Sequence, residues 1–141
     1  MASSCGGDSD DASGESIAKS AYVVRANAIC ADTPGQAEEA YGRIIGNRQQ
    51  TPALAQRFLA PAAEIIASNV ERRGEIPAPE EDEGIVEETN SAGKEAAVQF
   101  IQAASSRDTA VALMRGITPD PASEFDRLSG EYGLTECAGV G

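Results

Sequence analysis

Thr51-Pro52-Ala53-Leu54-Ala55-Gln56-Arg57-Phe58-Leu59-Ala60-Pro61-Ala62-Ala63-Glu64-Ile65-Ile66-Ala67-Ser68-Asn69-Val70 is the stretch on which the fold turns. Thr51 offers a cap and Pro52 suits the first helical position, where a missing N–H costs nothing. Placed at about 100° per residue, Leu54, Ile65, Phe58, Asn69, Ala62, Ala55, Ile66, Leu59 and Val70 fill one broad apolar arc, with Arg57, Glu64, Ser68 and Glu71 opposite. A face that broad packs on at least two neighbours. Pro61 removes one backbone donor inside the pattern, so a local kink is expected. Arg72-Arg73-Gly74 closes the helix with cations near its negative end.

Outward from this helix the signal stays helical, and no segment shows the period-two alternation of a strand. Towards the N-terminus, a helix is expected from Glu15 to Ala31 with Ile17, Ala21, Val24, Ala28 and Ala31 inward, widened by Tyr22 and Ile29. Thr33-Pro34-Gly35-Gln36 reads as a restart with a capping box, hence a kink or brief break, followed by helix to about Arg48 with Ala37, Tyr41, Ile44 and Ile45 inward. Towards the C-terminus, Glu75-Ile76-Pro77-Ala78-Pro79 is an extended linker. A second long helix follows over Glu81 to Ser106, with Ile85, Val86, Thr89, Ala92, Gly93, Ala96, Ala97, Phe100, Ile101 and Ala104 on one face; Gly93 in mid-face marks close approach of another helix. Asp108 caps a further helix, which Thr118-Pro119-Asp120-Pro121 interrupts before a last segment carrying Phe125, Leu128 and Tyr132.

Short connections between long helices make antiparallel neighbours. The expected fold is all-α: an up-down-up-down four-helix bundle with its first and last helices broken, or alternatively an irregular five- to six-helix bundle. A 141-residue chain suits one domain, here residues 15–141 behind an acidic tether over residues 1–14, whose small side chains cannot offset the entropy of ordering.

The 23 acidic residues against 11 basic ones give a net charge of −12. The excess sits at the N-terminal end, in Asp8, Asp10 and Asp11 of the tether and Glu15 just after it, and around the linker, from Glu75 through Glu80, Glu81, Asp82 and Glu83 to Glu87 and Glu88. Nucleic acid is therefore excluded as an expected partner, since it is bound by clustered Lys and Arg. There is no histidine, which removes Ser-His and Cys-His catalysis, imidazole metal ligation and His-ligated haem. Glu38 with Glu39 and Glu87 with Glu88 are sequence neighbours on solvent faces, read as solvated surface and not as a carboxylate pair for glycosidase chemistry. No enzyme activity, cofactor or metal is expected. Asn69 stands at the centre of an apolar arc, and Thr89 and Asn90 flank the facing one; these three are the candidate polar contacts of the bundle core, either fixing register between helices or lining a ligand cavity.

Three cysteines, Cys5, Cys30 and Cys137, permit at most one internal bridge and leave a thiol over; Cys30 and Cys137 are either that bridge or two unrelated buried thiols. Residues 16–138 resemble a set of small helical secreted proteins and lipoproteins of high-GC Gram-positive bacteria (Actinobacteria), mostly of unknown function. The resemblance rests on Ala28-Ile29-Cys30, Leu59-Ala60-Pro61, Ile76-Pro77-Ala78-Pro79, Ala103-Ala104-Ser105-Ser106-Arg107-Asp108 and Tyr132-Gly133-Leu134-Thr135-Glu136-Cys137, in that order. It implies an exported bundle with Cys30 paired to Cys137, and supplies no catalytic residue.

Ala2-Ser3-Ser4-Cys5-Gly6-Gly7 is similar to the end of a bacterial lipobox, whose Cys carries the lipid. Because Met1 is followed by no charged or apolar leader, this reading treats the chain as trimmed at the cleavage site with a start Met added. The expectation is a non-enzymatic cell-envelope lipoprotein, extracytoplasmic and membrane-anchored only through Cys5, that presents a disulfide-closed bundle to an envelope protein or wall component. The alternatives are a carrier of a small apolar ligand inside the bundle and, for location, a cytoplasmic protein whose Cys5 is incidental.

Overall fold

Thr51 lies in extended backbone and its hydroxyl accepts from the Leu54 amide at 3.2 Å, which starts α2 at Pro52. In the computed structural model, which describes residues 17–138, α2 (Pro52–Gly74) is preceded by α1 (Lys19–Ile44). It is followed by a 3₁₀ turn (Glu80–Asp82), α3 (Glu83–Ala103), α4 (Arg107–Met114) and α5 (Ser123–Tyr132). The described residues are all-helical, and five α-helices is the count of the irregular alternative. The last segment of the four-helix reading is two separate helices with different partners: α4 packs on α2, and α5 on α3. The α2–α3 pair is the centre of the fold, and α1 packs on α2.

Three expectations about the helices need correction. First, α1 is not broken at Thr33-Pro34: it runs through Pro34 for 26 residues. Thr33 is buried inside it rather than capping a new start, and tertiary attachments at Cys30 and Thr33 hold the turn that the proline weakens. Second, the inward face of α1 is Tyr22, Ala26, Cys30, Thr33, Ala40 and Ile44, while Val24, Ala28 and Ala31 face solvent. The small alanines gave nearly equal support to two faces, and the larger Tyr22 and the cross-linked Cys30 decide between them. Third, Ser106 and not Asp108 caps α4: its hydroxyl accepts from the Thr109 amide at 3.2 Å.

The core has two parts. Tyr22, Ala26, Cys30, Val86, Phe125, Tyr132, Leu134 and Cys137 form one, and Ala55, Leu59, Ala63, Ala96, Phe100, Ala110 and Ala122 the other. The first exists because the chain turns back after α5. Gly133 adopts φ 97°, a left-handed conformation that costs glycine little, and the Leu134 amide bonds to Ser129 O at 2.8 Å. The C-terminal turn then lies on α1. The Tyr22 and Tyr132 rings meet edge to face at 5.9 Å, and the Glu136 amide donates to Asn27 Oδ1 at 3.1 Å. A disulfide joins Cys30 to Cys137 across a sequence separation of 107 residues. The turn reaches the middle of α1, so no break in α1 is needed to bring the two cysteines together.

Candidate functional site

Two features of the interior could do chemistry or binding, and Thr33 belongs to both. One is an apolar cleft of about 500 Å³ bounded by α1, α2, the end of α4 and the connection to α5. Phe58, Ala62, Ile65 and Ile66, one stripe of α2, form one side, and Leu59, Phe100 and Thr33 form the buried floor. Tyr41 braces the outer edge, its ring 5.3 Å from that of Phe58 in an edge-to-face pair. The opposite side is a strap built by local turn chemistry. Gly116 at φ 73° ends α4, and the amides of Ile117 and Thr118 both donate to Ala112 O. At the other end, Asp120 Oδ1 accepts from the Ala122 amide at 2.9 Å, an Asx turn that launches α5. Leu113 and Met114 project into the cleft from this side, and Thr118, Pro119 and Asp120 line its rim. Asp120 is the one ionisable side chain among the lining residues.

The other feature is a polar cluster inside the α1–α2–α3 contact. Asn69 Nδ2 donates to Thr33 Oγ1 at 2.9 Å, linking α2 to α1, and Asn69 Oδ1 accepts from Arg73 Nε at 2.8 Å. The Cys30 sulfur is 3.9 Å from the same Asn69 oxygen, so the disulfide abuts the cluster. Arg73, one of the two cations in the last turn of α2, is wholly buried. It follows Asn69 and Val70 by one turn on the same arc, and Gly93 of α3 leaves the space it fills: a Cβ there would lie 3.0 Å from Arg73 Nη2 and from Val70 Cγ2. Nη1 donates to Asn90 Oδ1 at 3.5 Å, and the guanidinium stacks 4.4 Å above the Phe125 ring centroid. Burial pulls the Arg73 pKa down to about 10, opposed by the nearby Tyr22, so the side chain is still a cation at neutral pH. Burial likewise raises the Tyr22 hydroxyl, with Arg73 and Asn90 pulling the other way.

Of the three core polar positions named from the sequence, Asn69 and Asn90 therefore meet at Arg73. Thr89 does not join them. Its hydroxyl donates to Ile85 O at 2.7 Å in its own helix, satisfying itself locally as threonines in helices do. Thr33 was missed because Thr-Pro-Gly-Gln resembles a helix start. Glu38, Glu39, Glu87 and Glu88 are exposed. Cys5 and the acidic tether lie outside the described residues. Among those residues no group of His, Cys, Asp or Glu could hold a metal ion, and no helix is long and apolar enough to cross a membrane. No protein-family model, curated protein or solved structure matches the chain.

Proposed function

We propose that the protein is a non-enzymatic binding protein, exported and lipid-anchored through Cys5, that holds a small, predominantly apolar ligand in the cleft between α2 and the 115–121 strap. The cleft carries this reading. Its volume of about 500 Å³ falls in the range of small-molecule sites, about 300–1,000 Å³. Its lining combines aliphatic and aromatic walls with a few polar atoms at one rim, the pattern that buries a ligand and orients one end of it. Charge narrows the ligand class. None of the lining residues is basic, so a carboxylate or phosphate would be desolvated against Asp120 with no compensating cation. The favoured ligand is neutral, or carries an amine that pairs with Asp120 while Thr118 and Thr33 offer hydroxyls.

The decisive comparison uses two probes of one skeleton. Titrating the full-length protein with N-phenyl-1-naphthylamine should give saturable fluorescence enhancement at one site. Its sulfonated relative, anilinonaphthalene sulfonate, should bind at least about tenfold more weakly. Equal binding of both, or none of either, would sink the reading.

Presentation of the bundle to an envelope protein or wall partner is the second reading. It draws on Val98 and Ile101, apolar side chains one turn apart on the outer face of α3 and about half exposed, at 47% and 53%.

A further inference from the structure

Every other Lys and Arg of the described residues is exposed; Arg73 is 0% exposed. Its Nε is well satisfied by Asn69 and its Nη1 weakly by Asn90, but Nη2 is buried with no hydrogen-bond partner. No carboxylate among the described residues forms an ion pair with it. Position near the negative end of α2 offsets part of the charge, yet supplies no acceptor to Nη2. A buried cation so placed is costly, because a charge removed from water needs both a counter-charge and filled hydrogen-bonding capacity.

Beside the guanidinium is a void of about 10 Å³, lined by Asn69, Arg73, Gly93, Ala96, Ala122 and Phe125 among others. That figure is the space open to the centre of an occupant, enough for one small species, a water or a monatomic ion, and no more. Three of these six residues are Gly or Ala, so the void persists where any larger side chain would reach Arg73. A water would offer Nη2 an acceptor but leave the positive charge uncompensated. A monatomic anion would do both.

We propose that this void is a binding site for one small monovalent anion of the halide class, held by Arg73 Nη2 and enclosed by α2, α3 and α5. It is separate from the apolar cleft, and each can fail without the other. Because the site exists only when the three helices are packed, the anion binds the folded chain alone and raises its stability by mass action.

Thermal unfolding of the full-length protein at constant ionic strength tests this, with sodium gluconate replaced stepwise by sodium chloride or bromide. Gluconate is too large for the void. The expected result is a saturating rise in Tm, on the order of 5–10 °C at a hundredfold excess over Kd, that is absent in Arg73→Met. Should that variant not fold, anomalous scattering from bromide in crystals of the native protein reads out the same site, with a peak expected beside Arg73 Nη2. An unchanged Tm across the three salts would leave the void to water and overturn the proposal. An equal halide response in a folded Arg73→Met variant, or a bromide peak only elsewhere, would also overturn it.

Discussion

The side-chain carbonyl of Asn69 accepts from Arg73 Nε at 2.8 Å, one turn apart on α2 with both residues buried. Since Asn69 Nδ2 also holds Thr33, one amide ties the buried cation to α1. Asn69→Leu keeps the branched heavy-atom shape but strips a hydrogen-bond partner from each of them. The expected loss is about 2–4 kcal/mol, since stranding a buried donor on Arg73 and a buried acceptor on Thr33 costs more than the bonds themselves contribute. Urea denaturation measures it, and a loss under about 1 kcal/mol would show that Arg73 does not depend on this acceptor.

How far the sequence carried this picture varies from helix to helix. Thr51-Pro52 marked the start of α2, and the stripe from Val86 to Phe100 marked the buried face of α3, because large apolar residues recur there with helical period. Gly93 announced a close approach, and the structure sets Arg73 and Val70 against it. In α1 the pattern misled: alanines recur on several faces, so the spacing puts Val24, Ala28 and Ala31 inward beside Tyr22, and the buried face is settled by the partners of Tyr22 and Cys30, Tyr132 and Cys137. Arg73 lay on the same arc as Asn69, but a cation in a last turn satisfies the helix dipole equally well facing water. The residues of the cleft wall were assigned to a buried arc without the cleft. A cleft is set by where the 115–121 strap passes, and that follows from the joint placement of α4 and α5, which no local pattern encodes.

The Cys30–Cys137 disulfide closes 107 residues of sequence separation. In the chain-entropy treatment a loop of that size stabilises by roughly 4–5 kcal/mol. Reduction, or replacement of both cysteines by alanine, should lower the urea midpoint accordingly while leaving the helical circular dichroism in place below the transition. Identical midpoints in oxidised and reduced protein would mean that Tyr132, Leu134 and Glu136 alone pin the C-terminal turn.

Alkaline pH should unfold the protein through its tyrosines. The Tyr132 hydroxyl donates to Asp82 Oδ2 at 2.8 Å. Burial, that hydrogen bond and the carboxylate charge all raise its pKa above the ordinary value of 10.0, and burial raises Tyr22 likewise. A raised folded-state pKa means that the native state holds protons which the unfolded state releases. The stabilisation is therefore complete below about pH 10 and is lost as pH climbs beyond it. Spectrophotometric titration should show these two phenols ionising together with loss of helical signal, and Tyr132→Phe should flatten the stability-versus-pH curve above pH 10. Ionisation of both while the helices remain intact would contradict the assignment.

Gly93→Ala tests how tightly α2 and α3 meet. The added methyl would stand 3.0 Å from both Arg73 Nη2 and Val70 Cγ2, with Phe125 Cδ2 at 3.4 Å. Alanine's better helix propensity favours the change by up to about 1 kcal/mol, whereas overpacking opposes it by about 1–3 kcal/mol. Net destabilisation is expected in chemical denaturation, and a more stable variant would show that the contact has slack.

The central claim is that the cleft holds a ligand, and native mass spectrometry of the full-length protein isolated gently from its host tests it most directly. Ala62→Trp supplies the control, because position 62 lines the cleft half-buried and an indole there occupies it with little disturbance of the core. The predicted result is a non-covalent adduct of a few hundred daltons on the native protein, lost on denaturation and absent from Ala62→Trp. A native protein that flies without an adduct and takes up no neutral or cationic apolar probe, or an adduct that persists on Ala62→Trp, would contradict it.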